Sequence, residues 1–99
     1  MVLGTLVADF ALGDVHSLKQ KRAVIRPIVA ELQRRFEVAA AETGALELHR
    51  RCEVAVAVVS STHRHVTEVL DACERLIAGR PEIELLSVWR RVLDDEDLD

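Results

Sequence analysis

An α+β domain in the order strand–helix–strand–strand–helix–strand is what this sequence predicts, and three observations carry the prediction. Residues 2–11 and 52–59 alternate with a period of two. Residues 18–36 and 63–78 place apolar side chains three and four apart. Gly13 and Thr43-Gly44 fall between these blocks and Gly79 and Pro81 just after the last, where breakers belong.

Val2 to Ala11 is the first strand. Val2, Gly4, Leu6, Ala8 and Phe10 share one face, and Leu3, Thr5, Val7 and Asp9 the other. Both faces are partly apolar, as a central strand requires. Gly13-Asp14-Val15-His16 is a turn. Ser17 then caps a helix to about Phe36, with Gln20 three residues on in capping-box spacing. Leu18, Ile25, Ile28, Val29, Leu32 and Phe36 form its apolar stripe, with Lys21, Arg22 and Arg26 near one edge of it. Pro27 lacks an amide proton and predicts a kink.

Glu37–Glu42 reads as a short edge strand and Thr43-Gly44 as a connection; Leu46–Arg51 is loop or early strand. Cys52, Val54, Val56 and Val58 alternate with Glu53, Ala55, Ala57 and Val59 in a second central strand. Ser60-Ser61-Thr62 offers caps for a helix over His63–Ala78, with Val66, Val69, Leu70, Cys73, Leu76 and Ile77 inward. Ile83–Leu93 closes the pattern. Its alternation slips at Leu85-Leu86, which predicts a β-bulge. Two right-handed crossovers then give a ferredoxin-like βαββαβ fold, a four-stranded antiparallel sheet with both helices on one face. The other face is left open. If it is as apolar as the strands suggest, it calls for a partner or a second copy.

Composition narrows the classes. Ninety-nine residues, 49% of them hydrophobic, suit one domain. We read residues 1–93 as that domain and 94–99 as an acidic tail. The tail holds five acids, leaving 13 basic and 12 acidic side chains before it. It reads as a solvated, frayed end or as an arm shielding a basic patch. Six basic residues and two acidic ones lie between Asp14 and Arg35. Cys52 and Cys73 belong to no CxxC pair and sit in apolar patterns, as buried thiols of a reducing cytoplasm do. No basic segment precedes the first apolar run, and no apolar run approaches 18 residues. Neither secretion nor membrane spanning is expected.

Several blocks of the chain resemble the YlxP-like family of small bacterial proteins, a domain of unknown function. They are Val2-Leu3-Gly4-Thr5-Leu6, then His16-Ser17-Leu18-Lys19-Gln20-Lys21-Arg22, Arg34 to Glu42, Cys52 to Ser60, and Glu84-Leu85-Leu86-Ser87-Val88. The stretch from His16 to Arg22 is the most specific. The resemblance covers the chain to about residue 93. It implies the ferredoxin-like fold and a gene near those for translation and ribosome maturation; it implies no activity. Pro27 and the acidic tail depart from the shared pattern.

The candidate contact surface for RNA or phosphate is His16, Ser17, Lys19, Lys21, Arg22 and Arg26. Helix-start amides suit phosphate, and successive basic turns suit a nucleic-acid backbone; a solvated helix face is the plainer reading. Phe10, Phe36 and Trp89 are the only aromatics, too few for a base-stacking sheet. Leu3, Thr5, Val7 and Trp89 are the candidate oligomer interface, because tryptophan beside arginine is common at interfaces; Trp89 in the core is the alternative. His63 and His65, two apart on a helix, do not face one metal, and no metal or cofactor is expected. Neither cysteine has a clear base, and Glu82 and Glu84 lie at a wet strand start, so no catalytic residues are assigned. There is no GxGxxG, Walker loop or HExxH. The expectation is a non-enzymatic homo-oligomeric adaptor, dimer or higher, meeting ribosomal RNA or a ribosome-associated protein. The alternative is a small-molecule-sensing domain with a site between subunits near Gly13–Ser17.

Overall fold

The computed structural model describes residues 1–99. The elements are β1 (Val2–Leu12), α1 (Leu18–Phe36), β2 (Ala39–Gly44), β3 (Arg51–Ser60), α2 (His63–Ala78), β4 (Ile83–Leu93) and a short α3 (Asp95–Leu98). One antiparallel sheet runs in the order β2-β3-β1-β4. This is the ferredoxin-like arrangement that the periodicities predict. No helix is long and apolar enough to cross a membrane.

The two faces of β1 separate cleanly. Its even residues, Val2 to Leu12, are buried, while its odd residues are only partly covered. The even face joins Val54, Val56 and Val58 of β3, Ile25, Ile28 and Leu32 of α1, and Val66, Leu70, Cys73 and Ile77 of α2 in one core. Alternation on the strands and three-and-four spacing on the helices thus meet in a single layer of burial. Val15, in the turn before α1, is also buried there.

Helix ends follow their caps. The Ser17 hydroxyl accepts from the Gln20 amide at 3.1 Å. The Gln20 side chain, however, accepts from the His16 amide (2.7 Å), one residue before the cap. α1 runs unbroken through Pro27, which lies on its exposed side, where water can satisfy the carbonyl the proline frees. Glu37 ends the helix in a left-handed conformation (φ 53°), and its N–H donates to the Gln33 carbonyl. That reversal spends Glu37 and Val38 on the turn, so β2 begins at Ala39 rather than at Glu37.

The slip predicted in β4 is a bulge. Asp9 pairs with Ser87 and Phe10 with Leu85, leaving Leu86 as the extra residue. The acidic tail forms a short capped helix after β4. Asp94 caps α3 in a capping box, and the Met1 ammonium meets Asp95 at 3.0 Å. The tail therefore lies at the start of β1, whereas α1 begins beyond the far end of that strand.

Candidate functional site

The open face of the sheet is built in rows. Ala41, Ala55, Val7 and Trp89 are neighbours across all four strands, and Ala39, Ala57, Thr5 and Arg91 form the next row. Val59, Leu3 and Leu93 extend it. Leu3, Thr5, Val7 and Trp89 thus share one face, as the sequence suggests. Trp89 is 62% exposed, which removes it from the core, and Val59 matches it at 62%. The alanines leave a shallow groove over β2 and β3, bordered by Thr5 and Val7 of β1. Sequence reasoning could not fix the parity of β2; the register places Ala39 and Ala41 outward. Beyond the rows, Arg51 meets Asp9 at 2.7 Å, and the Thr43 hydroxyl donates to Glu53 at 2.7 Å, giving this end of the face a polar border.

The basic segment divides. Lys19, Arg22 and Arg26 are exposed and form a stripe along α1. Lys21 does not belong with them, and its assignment to a contact surface is corrected. It is 2% exposed, its ammonium lies 2.7 Å from Glu42, and it donates to the Ala45 carbonyl at 2.8 Å. The signal for this was present, because Lys21 stands four residues before Ile25, in line with Ile28 and Leu32. The Ser17 hydroxyl is occupied as a cap. His16 lies between Asp14 (3.2 Å) and Arg50 (3.3 Å). What remains is Lys19, Arg22 and Arg26 with His16 at one end. Arg22 and Arg26 also edge a groove beside β2, whose floor includes Ile25 and Val29.

The family model described as "Protein of unknown function (DUF503)" matches residues 3–90. The chain belongs to this family. "Uncharacterized protein YlxP" of Bacillus subtilis (strain 168) is 31% identical over 83 residues, covering 84% of this chain and 90% of that protein. The resemblance drawn from the sequence blocks therefore holds. The DUF503 match takes in the open face from Leu3 to Trp89, the basic stripe and the Lys21–Glu42 pair; it leaves out the acidic α3.

Burial pushes the Cys52 thiol up to about 12, with the Glu42 carboxylate adding to the shift and Lys21 opposing it. Burial raises Cys73 to about 11, with Arg90 opposing. Thiols held protonated in this way are poor nucleophiles at neutral pH. Arg90 spans β4 to α2, reaching Asp71 at 2.7 Å and Glu74 at 2.9 Å. His63 lies 3.8 Å from Asp94, and no three His, Cys, Asp or Glu side chains converge in a way that could hold a metal. A pH prediction follows from the thiols. An unfolded cysteine ionises near 9, while the folded ones stay protonated. Above that pH the native state binds more protons than the unfolded state, so stability falls as pH rises toward 11. Urea unfolding at pH 8, 9.5 and 10.5 should show that decline. Replacing both cysteines by alanine should flatten it, whatever the change in absolute stability.

Proposed function

We propose that this DUF503 domain is a non-enzymatic adaptor of the cytoplasm that self-associates through its open sheet face. The basic side of α1 is then left outward for an anionic partner in ribosome maturation, RNA or acidic protein. The observation that carries the reading is the open face itself. Leu3, Val7, Val59, Leu93 and an exposed tryptophan lie side by side with alanines that let another surface approach closely. Contiguous exposed apolar surface of this kind favours association, and a second copy is the simplest cover because oligomers of identical chains dominate. The tie to ribosome maturation rests on the resemblance. The unpaired Lys19, Arg22 and Arg26 support an anionic partner.

Trp89 is the only tryptophan, and there is no tyrosine, so its fluorescence reports on this face alone. Its emission should move to shorter wavelength as protein concentration rises. Trp89→Glu should yield a monomer by sedimentation equilibrium while keeping the native circular dichroism. A parent protein that is monomeric at high micromolar concentration would overturn self-association. Retention on isolated ribosomal subunits at near-physiological salt, lost on reversing Lys19, Arg22 and Arg26 together, would place the contact on α1. Retention at low salt only is generic charge attraction and would count against a specific contact.

A second reading has an observation of its own. A cleft beside the Gly13–Ser17 turn is lined by Val15, His16, Leu48, His49, Arg50 and Arg51, with Glu47 its one acid; the cationic side chains outnumber that carboxylate, a setting for a small anionic ligand. A compound that raises the melting temperature in step with its concentration would favour this sensing role.

A further inference from the structure

The groove between α1 and β2 lies beside an unpaired sheet edge. β2 is the outermost strand, paired only with β3. Within an antiparallel strand, the N–H and C=O of one residue point to the same side, and successive residues alternate. The Ala40 carbonyl accepts from the Gln33 side-chain amide at 2.9 Å, so it points away from β3. By alternation the backbone of Glu42 does too. Apart from the Gln33 amide, nothing bonds to this edge. Its sequence, Ala39-Ala40-Ala41-Glu42-Thr43-Gly44, lacks the lysines and prolines that usually blunt an edge strand, and its one irregularity, between Glu42 and Gly44, falls at the end of the strand. The opposite edge, β4, is protected by its bulge and carries Trp89 and two arginines.

Two exposed cations overlook the bare edge. Arg22 and Arg26 line the groove, its floor is formed by Ile25, Val29 and Ala30, and neither arginine has a carboxylate partner. Glu42, the one acid lining the groove, is already paired with Lys21. A strand laid along β2 would send every second side chain toward α1, where it would meet guanidinium groups over an apolar floor. The others would fall over the alanines of the open face.

We propose that this groove takes an extended acidic segment of a partner protein, which adds as a fifth strand on β2 with acidic side chains toward Arg22 and Arg26 and apolar ones outward. This rests on the reading of α1 as the contact surface and names the partner for it. RNA would use the arginines but neither the outward amides nor the apolar floor.

The test uses the full chain and a fluorescein-labelled octapeptide of alternating glutamate and valine, read by fluorescence anisotropy. Saturable binding is expected, weakened at least about tenfold by R22E/R26E. N-methylating the peptide at all valines or at all glutamates separates backbone pairing from charge, and one of the two should lose at least about tenfold. Ala40→Pro removes an outward amide from the edge without touching the β3 ladder and should weaken binding similarly; the methylated peptides decide the matter even if that variant folds poorly. Equal binding by both methylated peptides and the parent peptide would overturn strand addition. Arginine-dependent binding of a twelve-residue oligouridylate, with none of the peptide, would overturn this proposal and leave the anionic-partner reading standing. Binding of neither probe, with ribosomal retention unchanged by charge reversal, would overturn both.

Discussion

Lys21→Ala should cost about 3 kcal/mol of folding stability, the scale expected when one partner of a buried ion pair is removed. The variant strips the counter-charge from Glu42, whose side chain is only 21% exposed, and removes the donor from the Ala45 carbonyl. It also leaves a hole in line with Ile25 and Ile28. For a chain of this length the melting temperature should fall by more than about 10 °C. Removing both charges is a different perturbation. Lys21→Met with Glu42→Leu fills the same space with apolar atoms and strands no carboxylate, so it should recover most of the loss. Urea unfolding of Lys21→Met, Glu42→Leu and the double variant measures the coupling. Additive losses would mean that the pair contributes nothing beyond the packing of its stems.

Gly4→Ala is the other large effect. A Cβ on Gly4 would lie 2.3 Å from Val66 Cγ1 and 3.2 Å from both Leu70 Cδ1 and Val58 Cγ1. α2 approaches β1 so closely there that one methyl group has no room. Alanine in a strand is otherwise preferable to glycine, so the sign of the result isolates the clash. A loss of about 3 kcal/mol is expected, the upper end for overpacking a core. Val66→Ala alone leaves a cavity and also destabilises. Combined, the two changes exchange space between strand and helix, and the double variant should be more stable than the sum of the single losses implies. Strict additivity would show that α2 does not seat on Gly4.

The same two residues show what the sequence could say. Gly4 lies at an inward position of β1, and the alternation placed it there from residue types alone; the nearness of Val66 belongs to tertiary structure and left no local mark. Lys21 was misplaced for a related reason. Its charge pointed to the surface, its spacing to the core, and the deciding partner, Glu42, stands 21 positions later on an edge strand of weak pattern. The strongly periodic elements, β1, β3 and α2, were legible because each buries one clean face. The slip in β4 was legible because a bulge changes parity in a countable way. β2 was not, since consecutive alanines carry no alternation and the left-handed Glu37 that delays the strand has no sequence signature. Of the candidate surfaces, the company of Leu3, Thr5, Val7 and Trp89 could be read from strand parity. The groove beside β2 could not, because it forms only where α1 lies against an edge.

The bulge has a consequence for chain length. Between Ile83 and Leu93, β4 uses one residue more than the stretch of β1 from Leu3 to Leu12 that it pairs with. Dropping Leu86 would join Leu85 directly to Ser87 and restore unbroken alternation, with Leu85 still facing the core and Trp89 still facing out. A deletion outside Leu85–Ser87 would turn part of the strand inside out. β4 thus has a single site where the residue count can change without scrambling the sheet, and related chains that differ in length by one residue should place their gap there.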